Sequence, residues 1–177
     1  MSLFKISDQP GSLNQALFQV THGLYVLTAA SGGEADRKRL NGQCLDAAMQ
    51  VTNAPPRVAI AVGKKSLTHQ LVLETGEFVL NVIDREDADI LDIVKRFGFQ
   101  SGRDVDKFKD FAYELSVNGA PILPTAVAFY ECTVIDSLTL DLDTHTLFVA
   151  SVDRAGVQES GEPLTYNEYR KSLRNRR

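Results

Sequence analysis

Five consecutive residues, Lys64-Lys65-Ser66-Leu67-Thr68, carry the plainest chemistry in the chain. The two lysines supply positive charge and the two hydroxyls supply hydrogen bonds. Ser66 is also a residue type that caps a helix, here one predicted over Leu67–Thr75 with Gly76 as its stop. Such a helix adds free backbone N–H groups and the positive end of its dipole. Together these groups suit a phosphate. A capped surface helix with two solvated lysines accounts for the same residues, and the local pattern alone favours it.

Other chemical motifs are missing. No G-x-G-x-x-G follows an apolar strand. Gly63-Lys-Lys-Ser66 has the end of a P-loop but carries Val58 where that motif needs glycine. No G-x-S-x-G elbow exists, since Phe99 stands two positions before Ser101. His22, His69 and His145 have no metal-ligand spacing, and Cys44 and Cys132 form no C-x-x-C pair, so no metal site is expected. Cys44 has no histidine placed by sequence to activate it as a nucleophile.

The elements that must position these residues can be read from periodicity. Gly11–Leu24 is predicted as a helix capped by Ser12, with Leu13, Ala16, Leu17 and Val20 on one face. Leu24–Ala29 reads as a strand. Turn composition at Ser31–Asp36 makes the next strand its antiparallel partner. That strand, Asn41–Asp46, is expected to run on into Ala47–Val51. Pro55 and Pro56 exclude helix and start an extended segment, and Arg57–Val62 is β-branched and apolar. Glu77–Ile83 is a further strand. Asp84 is expected to cap a second helix, with Ile90, Leu91, Val94 and Phe97 at helical spacing and Gly98 ending it. Phe99–Asp110 has no period and many charges, a pattern often functional in a compact domain. Asn118-Gly119 is a turn. Thr125–Asp136 and Thr144–Asp153 are long strands joined by the hairpin connection Ser137–Asp143. Antiparallel strands with helices between them indicate a closed or sandwiched sheet.

The chain has 177 residues, 44% of them apolar and 24% charged. That is ordinary for one soluble domain, residues 1–177, able to bury about 70% of its unfolded surface. A net charge of −4 gives no footprint for nucleic acid. No stretch reaches the length of a membrane span, and Met1–Lys5 has no leader pattern. A reducing, cytoplasmic setting is expected. The basic tail, residues 170–177, reads as a frayed terminus, with a phosphate or partner contact as the alternative.

The wider pattern is more specific. Gly23-Leu-Tyr-Val-Leu-Thr28, Asn41-Gly-Gln43, Gln50-Val-Thr-Asn-Ala-Pro-Pro-Arg-Val58, Leu67-Thr-His69, Gly76-Glu-Phe-Val79, Phe97-Gly-Phe99, Ser101-Gly-Arg-Asp-Val-Asp-Lys-Phe108, Gly119-Ala-Pro121, His145-Thr-Leu-Phe148 and Leu164-Thr-Tyr166 occur in one order. In that order they resemble the flavin reductase-like family. They look like the NAD(P)H:flavin oxidoreductase module found fused to rubredoxin or flavodiiron domains. The resemblance spans about residues 15–169.

It implies a mainly β fold, an FMN-binding split β-barrel with antiparallel strands and inserted helices, assembled as a homodimer. Hydride would pass from NADH or NADPH to non-covalent FMN. Electrons would then go to free flavin, oxygen, or a protein acceptor of rubredoxin, flavodiiron or other redox type. The alternative is an FMN-binding electron-transfer module without efficient NAD(P)H oxidation. By resemblance, Asn41, Gly42, Gln43, Cys44 and Ala47 lie along the isoalloxazine. Lys64, Lys65, Ser66 and Thr68 hold the phosphate end, and Arg103, Asp106, Lys107 and Phe108 approach the flavin or nicotinamide. His145 lies on the substrate side.

Chemistry fits these assignments. Asn41, Gln43 and main-chain N–H groups can donate to the pyrimidine edge, with Gly42 letting the backbone come close. Asn41-Gly42 also fits a plain turn. Cys44 is either a soft side chain against the ring or core. Asp46 would oppose a reduced anion. His145 either orients nicotinamide or relays a proton, or is a structural residue at a barrel end. Arg103, Asp104, Asp106 and Lys107 also read as a solvated charge run, with Phe108 stacking or packing.

Overall fold

The computed structural model describes residue 3, residues 6–32 and residues 39–173. After a short helix α1 (Pro10–Leu17) come β1 (Tyr25–Ser31), β2 (Arg39–Leu45), β3 (Ala48–Asn53) and β4 (Pro56–Gly63). Helix α2 (Leu67–Thr75), β5 (Glu77–Ile83) and helix α3 (Ile90–Gly98) follow. Two short strands, β6 (Glu114–Leu115) and β7 (Pro121–Ile122), precede β8 (Ala126–Val134), β9 (Leu140–Leu142) and β10 (His145–Val157). A short helix α4 (Tyr166–Glu168) passes into a π turn at Tyr169–Leu173.

The main sheet runs β2-β1-β5-β8-β10-β4-β3, with β9 on β10, and all its pairings are antiparallel. Its two end strands, β2 and β3, are consecutive in the chain. Only Asp46 and Ala47 separate them, so one bent segment joins both ends of the sheet into a split β-barrel. At this corner Ala48 N–H bonds Asp46 O, and Ala47 O accepts from Ala61 N–H of β4. The expected continuous strand across Asp46–Val51 is therefore two strands that pair opposite ends of the sheet.

Strand alternation feeds two cores. Leu27 and Ala29 point into the barrel with Ile60, Val62, Phe78, Leu80 and Phe148. Val26 points outward to a second layer with Ile90, Ile93, Val94, Phe97 and Phe108. Because β1 is covered on both faces, its sequence is nearly continuous in apolar residues. Helix α2 closes one barrel end with buried Leu71 and Val72. Ser66 caps it by accepting from His69 N–H at 3.0 Å, and Gly76 ends it at φ 69°.

Other expectations need correction. Helix α1 stops at Leu17 instead of Leu24, and Gln9, not Ser12, is its N-cap. It buries none of its residues, leaving Leu13, Leu17 and Val20 exposed, because nothing among the described residues covers that face. Helix α3 begins after Asp89. Asp84 instead accepts from the N–H groups of Glu86 and Glu162. Its buried face uses Ile93, while Leu91 is 39% exposed. The 137–143 connection holds β9 and a tight turn at Asp143, φ 57°. The predicted turn at Ser31–Asp36 lies outside the described residues from 33 on, but the antiparallel β1–β2 pairing holds. The first part of the basic tail is built into the fold, with the Arg170 guanidinium 4.1 Å over the Phe18 ring. Residues 174–177 of that tail lie outside the described residues.

Candidate functional site

Strand β2 pairs with β1 on one edge only, and its other edge borders a cleft of about 450 Å³. Asn41, Gln43 and Cys44 line one wall, Lys65 and Ser66 before α2 line another, and Phe97–Gly102 with Lys107 complete it. The cleft thus lies between the N-terminus of α2 and the C-terminus of α3.

Register decides what β2 presents. Asn41 and Gln43 stand opposite Ala29 and Leu27, on the barrel side, while Gly42 and Cys44 stand opposite Thr28 and Val26. Asn41 is 3% exposed and donates from Nδ2 to the buried Thr68 Oγ1 at 2.8 Å. This bond ties β2 to α2 and assigns Thr68 to holding the wall. A Cβ on Gly102 would stand 2.0 Å from Asn41 Oδ1, so the loop after α3 needs glycine where it meets β2. Gln43 Oε1 is buried and has no hydrogen-bond partner among the described residues. Buried acceptors in this state are uncommon and costly.

Gly42 also has a packing role. A Cβ there would lie 3.0 Å from Cδ1 and Cε1 of Phe97, so the missing side chain makes room for α3. Its carbonyl points to the free edge of β2 and accepts from Lys107 Nζ at 2.8 Å. In a strand the N–H and C=O of one residue share an edge, so Gly42 N–H faces the same way.

Lys107 is not part of a solvated run. It is 3% exposed, and its ammonium also donates to Phe97 O at 3.3 Å, near the negative end of α3. Burial lowers its pKa, with Cys44 acting weakly in the opposite sense. Burial pushes the Cys44 thiol up to about 12, which favours its neutral form.

The remaining expected residues divide. Lys65 is exposed on the cleft rim, while Lys64 is bound to Asp141 at 2.5 Å and holds that carboxyl below its ordinary range. Arg103, Asp106 and Phe108 border a neighbouring cleft of about 490 Å³, which shares Leu67 and Gly102 with the first and adds Arg39 and Tyr113. Arg103 donates to Gln70 Oε1 at 3.2 Å. Asp106 Oδ1 accepts from Phe108 N–H at 2.9 Å, and the Phe108 ring packs 5.4 Å from that of Phe97. Ala47 lines neither cleft; its carbonyl is spent on the barrel seam. His145 lies outside both clefts, exposed at the start of β10 with Nδ1 2.8 Å from Thr144 Oγ1. Its neighbour His69 is structural, with Nε2 2.8 Å from Thr146 Oγ1. Phe99, Gln100, Ser101 and Gly102 line the first cleft without having been expected there. The signal for them was the irregular, glycine-containing stretch after Phe97.

This arrangement is that of a flavin reductase split barrel. NADH:FAD oxidoreductase SgcE6 of Streptomyces globisporus C-1027 has the same fold, with a TM-score of 0.77 at 23% identity over 93% of each chain. Residues 17–173 match the Flavin reductase like domain, and the chain belongs to that family. It is 38% identical over 156 residues to a high molecular weight rubredoxin of Moorella thermoacetica, covering 88% of this chain but 64% of that protein. It is 33% identical to a ferric-chelate reductase (NAD(P)H) of Archaeoglobus fulgidus, covering 88% of this chain and 87% of that protein. No helix among the described residues is long and apolar enough to cross a membrane.

Proposed function

We propose that the chain is an NAD(P)H:flavin oxidoreductase holding FMN non-covalently in the cleft between β2, α2 and α3. The observation that carries this reading is the orphaned Gln43 Oε1. The pyrimidine edge of isoalloxazine presents one N–H donor between two carbonyl acceptors. Gln43 Oε1 suits the donor, while Gly42 N–H and the Lys107 ammonium suit the acceptors. At the other end of the cleft, Lys65 and the first N–H groups of α2 suit a phosphate. Lys64, committed to Asp141, has the lesser part.

When bound, the flavin supplies a ring that accepts hydride from nicotinamide and later yields electrons. The residues of this chain bind and orient. Asn41 and Thr68 fix the wall, Gly102 lets the loop close against it, and Gln43 sets the ring's orientation. Cys44 stays a neutral thiol and forms no bond. Arg103, Asp106 and Phe108 shape the adjoining cleft, where NADH or NADPH would bring its phosphates past Arg39 and Arg103. His145, exposed at the start of β10 and outside both clefts, has the lesser claim to a part in hydride transfer. The exposed face of α1 and exposed Met49 and Val51 of β3 suit a homodimer. Two free cysteines suit a reducing, cytoplasmic compartment. Electrons would pass to free flavin, oxygen, or a redox protein of rubredoxin or flavodiiron type.

Fluorescence titration with FMN, followed by anaerobic stopped-flow mixing with NADH and with NADPH, tests this. Binding and rapid bleaching are expected. Absence of binding refutes the site. Binding without bleaching by either nucleotide refutes the reductase and leaves an electron-transfer module.

A further inference from the structure

The ammonium of Lys107 is buried between two neutral carbonyls, Gly42 O on β2 and Phe97 O at the end of α3. Among the described residues it forms no ion pair. A buried charge without a counter-charge is costly, and hydrogen bonds to carbonyls offset only part of that cost. A neutral donor would staple β2 to α3 as well and would avoid the charge. The titratable neighbour, Cys44, does not serve as the anion, because its thiol is held neutral. Two of the three ammonium protons have acceptors, and Lys107 lines the same cleft as the unpartnered Gln43 Oε1.

We propose that Lys107 is the built-in counter-charge for the reduced, anionic form of the flavin, so that the site holds reduced FMN more tightly than oxidised FMN. The inference rests on the cleft being the flavin site. Transfer of one hydride from nicotinamide brings two electrons and one proton to a neutral ring. One negative charge is therefore left on that ring, at its pyrimidine side. Gln43 Oε1, matched to the ring N–H, sets that same side toward Lys107. The oxidised ring brings no charge and leaves the ammonium uncompensated. Lys107 is thus a positioning and charge-balancing residue whose effect appears in the difference between two redox states. A site of this kind retains its reduced cofactor and hands electrons to an acceptor that comes to it, rather than releasing reduced flavin.

The test is the affinity of the full chain for oxidised FMN and, under anaerobic conditions, for chemically reduced FMN, measured for wild type, Lys107→Met and Lys107→Arg. The wild type is expected to bind reduced FMN at least about tenfold more tightly, equivalent to a bound-state potential about 30 mV above that of free FMN. In Lys107→Met the ratio falls to about one, with the fold checked by circular dichroism, and in Lys107→Arg most of it is kept. A purely structural staple would weaken both redox states alike. A Met variant that keeps the wild-type ratio overturns the inference. So does a wild-type ratio of one or below, a result independent of how any variant folds. Wild-type protein that binds neither form overturns the flavin site itself.

Discussion

Replacing Gly42 by Ala adds one methyl group at the seam between β2 and α3. The new Cβ would stand 3.0 Å from two carbons of Phe97 and 3.2 Å from Thr28 Cγ2, so a neighbour must give by a few tenths of an ångström. Neither gives easily. Phe97 is 1% exposed and boxed by the rings of Phe108 and Phe111 at 5.4 and 5.2 Å. Thr28 is fully buried, with Oγ1 bonded to Pro121 O at 2.6 Å. Overpacking of this kind costs about 1–3 kcal/mol, and the conformational entropy removed from the unfolded chain returns about 0.4–1 kcal/mol. The net loss is then at most about 2.6 kcal/mol and near 1.3 kcal/mol at the middle of both ranges, which lowers Tm by roughly 3–5 °C in a domain of this size. Scanning calorimetry measures it, and a urea melt with a lower midpoint and unchanged slope confirms a stability change without a change in the surface exposed on unfolding. The same displacement moves the Gly42 carbonyl against Lys107, so FMN affinity should fall as well. A variant that melts with the wild type yet loses FMN would refute the packing account. Gly42 would then serve close approach of the ligand instead of close approach of α3.

Three further outcomes follow from the site. Lys65→Ala should weaken FMN binding about tenfold, in the range of a lost charge-assisted bond, whereas Lys64→Ala should weaken it less than about threefold because Asp141 already holds that ammonium; equal losses in a fluorescence titration would argue against the division. Iodoacetamide at about pH 8 should label neither Cys44 nor Cys132 in the native protein and both in urea, since burial raises both thiols; mass spectrometry showing rapid native labelling of Cys44 would contradict this. Burial, then Lys64 and His145, lower the pKa of His69, so folding favours its neutral form. Its contribution is therefore complete above the unfolded value of about 6.5 and is lost as pH falls through that value toward the folded pKa. The urea midpoint should drop between about pH 7.5 and about pH 5.5, and His69→Gln should flatten that slope.

What could be read from the sequence was local. Ser66 and Gly76 bound α2 because capping is decided by the residue itself and its immediate backbone. The spacing of Ile90, Val94 and Phe97 located the face of α3 for a similar reason. What could not be read was set by distant chain. The corner at Asp46–Ala47 exists because β2 and β3 find different partners, which no short window contains. Lys107 looked like one charge among several. Its burial depends on two carbonyls, one of them 65 residues away. The apolar spacing of residues 13–20 predicted a helix running to Leu24, yet it stops at Leu17 and nothing among the described residues covers its apolar face. Asn41, Gln43 and Lys107, singled out through the resemblance, and Lys65, singled out by residue type, line one cleft, while Gly102 required knowledge of what it touches.

The barrel corner also acts as a lock on alignment. A slip of β2 by one residue along β1 would turn Asn41 and Gln43 off the barrel side and break the bond from Asn41 to Thr68. With only two residues between the strands, that slip cannot stay local: it must drag β3 along β4 on the far side of the ring. There it meets an irregularity between Gln50 and Thr52 that fits one alignment only. The ring behaves like a belt fastened at a single notch, and the setting of that notch on one side fixes which side chains meet the ligand on the other.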